Sequence, residues 1–275
     1  MDKIQLKILN SADIKLAEEY AVALARLTQH GESITSIEDF EKLLAKEYSI
    51  NLVDSLISMP HPTLQKFFAI NVIIVGASRR FLAQMTRHQN EVKFMSASLQ
   101  YSNYTGKAQF CVPYEIIETD RLWLAANQQL TDTEIAFKSP RKIYEASCAE
   151  SLRVYEKLVP IVGRDAAGYA MPQGLRNVLF ISATVFQWKH MISQRICHRN
   201  TLETQYVMLR IWEEMLKHSE LFSNCGPSCI RDGRCDEGKM SCGKFLHSSL
   251  VDDYICQHNC SLPTAILDTK FKEIR

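Results

Sequence analysis

Residues 67–104, FFAINVIIVGASRRFLAQMTRHQNEVKFMSASLQYSNY, decide the fold. From Phe67 to Val75 the run is apolar apart from Asn71 and rich in branched residues, the pattern of a strand covered on both faces. Gly76 permits a turn into a helix that carries Arg79, Arg80, Gln84, Arg87 and His88. On that helix Arg80, Gln84, Arg87 and His88 fall at i, i+4, i+7 and i+8, one polar and positive face, while Phe81, Leu82 and Met85 point elsewhere. A Ser/Gln/Tyr cluster follows at Ser96, Ser98, Gln100 and Tyr101. A buried strand leading into clustered cationic and hydrogen-bonding side chains suits a phosphate or flavin; the alternative is a solvated helix face.

Outward from this stretch, residues 3–9 alternate like a short strand. Helices are expected over 14–29, capped by Ser11 or Asp13, and over 36–47, where Ser36 and Asp39 stand in capping-box register. Pro60 and Pro62 bracket His61 and force an extended or turn backbone. Beyond the central stretch, 100–115 read as strand or loop, and helices are expected over 118–138, 141–158, 174–198 and 201–218. The fold class is α/β, with strands and helices mixed around a central sheet. Two units are expected: 1–220, and a Cys-rich extension over 221–275.

With 32 Lys and Arg against 31 Asp and Glu, the net charge is +1. That balance argues against a nucleic-acid coat or a polybasic membrane surface. FFAINVIIVGA is too short to span a bilayer, and the first twenty residues hold no apolar signal region. A cytoplasmic protein is expected, with no nucleic-acid or membrane partner, whose nine cysteines are thiols or metal ligands rather than disulfides.

Taken together, HPT at 61–63, QMTRHQ at 84–89, the cluster from Ser98 to Tyr101 and WKHMISQRICHR at 188–199 resemble the flavin-dependent thymidylate synthases, whose signature is RHR-x7-S. The resemblance runs from about residue 3 to 220. It implies a mixed α/β subunit in a homotetramer, with active sites at subunit interfaces. The implied reaction moves the methylene of methylenetetrahydrofolate to C5 of dUMP, with FAD as cofactor and NADPH as reductant. Carried over residue by residue, the resemblance places His61, Arg87, His88, Gln89 and His190 at the flavin. It places Gln84, Arg87, Ser98, Leu99, Gln100 and Arg195 at the nucleotide, with Arg195 and Ser98 as the catalytic pair and Tyr101 closing the motif. An arginine aimed at the carbonyl oxygens of a uracil would meet its electron demand. Because the cofactor carries the redox chemistry, no protein nucleophile is required.

The chain departs from the signature at several positions. Gln89 stands for its second arginine, Gln100 for the arginine that grips the nucleotide phosphate, and Met95 and Ser96 for an Asn-Glu pair. Gly168, in DAAGYAMP, also replaces an arginine, and Thr184 and Phe186 replace flavin-contacting residues. Compensation from Arg79, Arg80, Lys93 or Arg199 is one expectation. A paralogue acting on another nucleotide, or a silent binding subunit, are the alternatives. In the tail, Cys225, Cys229, Cys235 and Cys242, followed by Cys256, His258 and Cys260, are candidate zinc ligands, with reduced thiols as the other reading.

Overall fold

The computed structural model describes residues 4–58, 62–243 and 249–275. Along the chain run β1 (Gln5–Ile8), α1 (Ala12–His30), α2 (Ile37–Ala45), α3 (Ile50–Ser58), β2 (Ala69–Ser78), α4 (Arg79–Met85) and β3 (Val92–Ser96). Next come α5 (Tyr114–Ala126), α6 (Asp132–Lys138), α7 (Pro140–Ala167), β4 (Arg176–Thr184), α8 (Val185–Arg195) and α9 (Leu202–Leu216). The chain closes with short helices α10 (Ser228–Arg231), α11 (Ser249–His258) and α12 (Leu262–Lys270). The four strands form one antiparallel sheet in the order β1-β2-β4-β3.

The expected strand at 67–75 exists but runs further, through Gly76 at φ +90 and a register shift between Val75 and Ala77, to Ser78. It is covered on one face only. Ile70, Val72 and Ile74 are buried with Leu179 and Ile181 of β4, whereas Val75, Val178 and Met95 stay exposed on the other face. An antiparallel sheet can leave one face open in this way.

The helix expected over 174–198 is corrected to a strand, β4, followed by α8. A short apolar run such as Val178-Leu179-Phe180-Ile181 does not reveal its period on its own, and pairing with the full length of β2 decides it. Likewise 118–138 divides into α5 and α6, because Thr131 and Glu134 form a capping box that starts a new helix. The 100–115 segment is loop as far as Pro113, tied to the sheet by a bridge from Phe110 to Leu175, and α5 begins at Tyr114. The Ser36–Asp39 box forms as expected, the shorter Asp carboxylate accepting from the Ser36 backbone at 3.2 Å. Ser11 makes no side-chain cap bond.

Two strand-to-helix joints set the positions of α4 and α8. Ser78 caps α4, accepting from Phe81 N at 3.1 Å, while its own N–H and hydroxyl donate to the buried Glu203 carboxylate of α9 at 2.7 and 2.5 Å. Thr184 caps α8, accepting from Gln187 N at 3.2 Å. Trp188 then donates to Ile70 O at 3.0 Å and pins α8 against β2. Ser78 pairs with the first residue of β4 and Thr184 with the first of β2, so α4 and α8 leave opposite ends of the sheet. They converge at their C-terminal ends, where Arg195 reaches Gln84 and His88. Leu267 and Phe271 at the end of the chain are buried in the same core, and Tyr206 OH donates to Ile274 O at 3.0 Å.

Candidate active site

At this convergence, Arg195 Nε donates to His88 Nε2 at 2.9 Å, and its Nη1 donates to Gln84 Oε1 at 3.3 Å and Asn200 Oδ1 at 3.4 Å. All three acceptors are neutral, and among the described residues no carboxylate lies within 4 Å of the guanidinium. The helix C-termini supply negative dipole ends that tolerate the cation without cancelling its charge. Burial, followed by the nearby Arg87, lowers the proton affinity of Arg195, yet an arginine stays charged at neutral pH.

His88 is buried, and its pKa is lowered to about 4, first by desolvation and then by Arg195 and His190. It is therefore neutral at pH 7, with Nε2 as acceptor for Arg195 and its proton on Nδ1. His190 meets it edge to face, with ring centroids 5.7 Å apart, and its pKa is lowered by the same causes, desolvation and then Arg195. The result is one retained positive charge surrounded by neutral donors and acceptors. Such a set suits a planar group with carbonyl oxygens or an anion.

The helical stripe expected over 80–88 is corrected, since α4 ends at Met85 with Thr86 as its C-cap. His88 turns inward, whereas Arg80, Arg87 and Gln89 are exposed. A cavity of about 540 Å³ opens beside the cluster, bounded by His190, Arg195 and Asn200 on one wall and by Cys229, Cys235 and Cys242 of the tail on the other. Its size is that of a pocket for a nucleotide-sized ligand. Arg199 is held at the rim by Glu237 at 3.0 Å. The tail cysteines thus wall the candidate site. Among the described residues no three His, Cys, Asp or Glu side chains stand where one metal ion could hold them. Cys225 is fully buried and its thiol is pushed up to about 12 by desolvation, which makes it inert packing.

The remaining expected residues lie elsewhere. His61 is outside the described residues. Ser98, Leu99 and Gln100 form a tight turn in which Ser98 Oγ accepts from Gln100 N at 3.1 Å and Ser98 O from Ser102 N at 3.0 Å. Among the described residues no hydrogen bond joins this turn to the Arg195 cluster. Leu99 packs on Gly168, where an added Cβ would lie 3.2 Å from Leu99 Cβ and Cδ1. Thr184 serves as a cap and donates to Glu91 at 2.9 Å, and the Phe186 ring lies under Lys66 at 4.8 Å. Both positions are thus occupied by structural work. Trp188 is buried in the core, and Cys197 is half-buried.

Asn200 was not legible as a site residue. Its carbonyl is held by Gln205 Nε2 at 2.8 Å and its amide donates to Gln194 O at 2.8 Å, which fixes its oxygen toward Arg195. The only available signal was a polar residue directly before the Thr201 cap of α9.

Fold and site define a mixed α/β protein with an arginine-centred pocket whose polar groups suit a planar group with carbonyl oxygens or an anion. The chain belongs to the family described as Thymidylate synthase complementing protein, which matches residues 11–219. It is 24% identical over 217 residues to the flavin-dependent thymidylate synthase of Pyrococcus abyssi, covering 74% of this chain and 80% of that one. To the enzyme of the same name from Thermococcus onnurineus it is 23% identical over 248 residues, 87% of this chain and 91% of the relative. Its fold is similar to that of the Helicobacter pylori flavin-dependent thymidylate synthase ThyX complexed with FAD and dUMP, with a TM-score of 0.54 at 16% identity over 80% of this chain and 99% of that one. It is similar also to the UMP/dUMP methylase PolB of Streptomyces cacaoi bound with 5-Br dUMP, with a TM-score of 0.55 at 13% identity over 80% and 93%. The relatives support a family of flavin-dependent nucleotide methyltransferases with FAD as cofactor. No helix among the described residues is long and apolar enough to cross a membrane.

Proposed function

We propose that the protein methylates dUMP to dTMP in the cytoplasm, taking the one-carbon unit from methylenetetrahydrofolate, with FAD as cofactor and NADPH as reductant. The observation that carries this reading is the guanidinium of Arg195, charged, free of any carboxylate among the described residues, and held by three neutral acceptors. A uracil ring whose C5 attacks an electrophilic carbon must first gain enolate character, with negative charge on its carbonyl oxygen. A fixed guanidinium offsets that charge without having to reorganise. Gln84 and Asn200 orient it, and neutral His88 holds Nε in place without adding a competing positive charge.

FAD, when bound, supplies the hydride chemistry. Arg87, Gln89 and His190, together with His88 and His61, are the side chains assigned to hold it. Gln84, Leu99, Gln100, Ser98 and Arg195 are assigned to the nucleotide, with Ser98 and Arg195 closest to the chemistry. Within one chain no hydrogen bond among the described residues joins the Ser98 turn to Arg195, which supports a site completed by a second copy. The exposed apolar residues Val75, Val178 and Met95 across the open sheet face, and Tyr101 and Tyr169 beside the turn, favour such assembly as a homotetramer.

The test is direct. Purified protein should show the flavin absorption band, or take up added FAD, and should form dTMP from dUMP, methylenetetrahydrofolate and NADPH. It should also rescue a thymidine-requiring strain. A colourless protein that takes up no FAD would end this reading.

A further inference from the structure

We propose that Arg164 supplies the cation for the substrate's phosphate at the Ser98–Tyr101 turn, replacing from one helical turn away the charge that positions 100 and 168 lack. The inference rests on the proposed nucleotide site and deepens it by assigning the group that makes the site select a nucleoside monophosphate over a nucleoside.

The geometry begins in α7. Gly163 interrupts it at φ +80, a conformation that favours glycine, and the chain then resumes a last helical turn from Arg164 to Ala167. That reset turns Arg164 toward the 98–101 loop, where its Nη1 donates to Tyr101 O at 2.9 Å. The same helix holds the rest of the loop. The hydroxyl of the buried Tyr155 accepts from Tyr104 N at 3.3 Å, and Glu156 accepts from Gly106 N at 2.9 Å. The loop is therefore carried on α7, and Arg164 bonds the turn at Tyr101, three residues from Ser98.

Arg164 has donors to spare. Among the described residues it makes a single hydrogen bond, and no carboxylate lies within 4 Å of it. Ser98 accepts from Gln100 N but donates to no described protein group, so its hydroxyl hydrogen also remains available. A guanidinium and a hydroxyl on either side of one tight turn form a donor pair for phosphate oxygens. Arg164 and Gly168 share a helix face at i, i+4 spacing. Even a Cβ at position 168 would stand 3.2 Å from Leu99, so a methyl needs Leu99 to give by a few tenths of an ångström and a longer side chain more. Of the cations expected to compensate, Arg199 is engaged by Glu237, and among the described residues none is hydrogen-bonded to the turn.

The experiment measures binding of dUMP and of deoxyuridine to the full-length protein by calorimetry, for the wild type, Arg164→Gln and Arg164→Ala. Arg164→Gln keeps a donor for the Tyr101 carbonyl and removes only the charge, so matched melting temperatures establish that its fold is intact even where Arg164→Ala unfolds. Loss of one charge-assisted phosphate contact is expected to weaken dUMP binding by roughly 10- to 100-fold while deoxyuridine binding stays unchanged. Added salt should weaken dUMP binding to the wild type more than to Arg164→Gln. An Arg164→Gln protein that binds dUMP as the wild type does, or that loses both ligands equally, would overturn the proposal. A wild type that takes up flavin but binds dUMP and deoxyuridine alike would overturn it too and leave the flavin reading standing. Failure to bind either flavin or nucleotide would sink both.

Discussion

The two halves of the candidate site are built in different ways. The Arg195 cluster lies where two helices end against the sheet, with His88 buried, Gln84 and Asn200 engaged, and every anchor traced to the core through Ser78, Glu203 and Trp188. The Ser98–Tyr101 turn lies on the surface, with Tyr101 75% exposed, bonded to α7 through Arg164, while Tyr104 and Gly106 just beyond it donate to Tyr155 and Glu156 of the same helix. One half is rigid because the fold needs it. The other is supported from one side and becomes a site only when something covers it. Under the proposed function, the preorganised half would meet the demands of base chemistry and the adaptable half those of recognition.

Removing charge from the rigid half should have the largest effect. Arg195→Ala is expected to lower the rate of dUMP methylation by about 100- to 1000-fold, the size seen when one fixed electrostatic donor is lost. Flavin absorbance should persist, and steady-state kinetics with a spectrum of the purified variant would check both. Unchanged turnover would show that the two halves are not divided in this way.

The next effect is on stability. Glu203→Ala strands the Ser78 N–H and hydroxyl, which are buried, and should lower unfolding free energy by about 2–4 kcal/mol, read by denaturant titration. Because Glu203 holds the start of α4, the same variant should also loosen the Gln84 and His88 end, giving weaker nucleotide binding at temperatures where it is still folded. An equal loss in protection from hydrogen exchange at the 98–101 turn would blur the contrast between the two halves.

His88 makes stability depend on pH. Its folded pKa of about 4 lies below the ordinary histidine value of 6.5. Between those values the unfolded chain binds more protons than the folded one, so stability falls as the pH drops from about 6.5 and the loss levels off below about 4. His88→Gln should flatten that slope. His190, shifted in the same direction, would leave a smaller remainder. Thermal melts from pH 4 to 8 measure the difference.

The smallest effect belongs to the adaptable half. Gly168→Ala places a methyl against Leu99 but gains helix propensity at a helical φ, and the two should nearly cancel, to within about 1 kcal/mol. A loss well above that would show the turn to be as rigid as the Arg195 cluster.

Much of the fold was legible in the sequence. β2, the start of α4 and the Ser36 capping box follow from local chemistry, because a branched apolar run, a serine before a helix and a carboxylate three residues on act within one turn of chain. The pairing of Gln84 and His88 with Arg195 was legible only through resemblance, since the partners are 111 and 107 residues apart. β4 was misread as helix because its apolar run leads directly into α8, and only its register with β2 fixes the period. Arg164 gave no sign at all, as its partner lies 63 residues away and is a backbone carbonyl that any residue carries.

The sequence by itself determined which segments are apolar, where a cap such as Ser36 starts its helix and which side chains bring charge, because these depend on neighbours within a turn or two. Tertiary structure alone decided that α4 and α8 converge at their C-termini, that Arg195 keeps its charge clear of the described carboxylates, and that Arg164 of α7 bonds the Tyr101 carbonyl. Those outcomes depend on distances between remote residues, which the packing of helices on the sheet sets and local sequence does not encode.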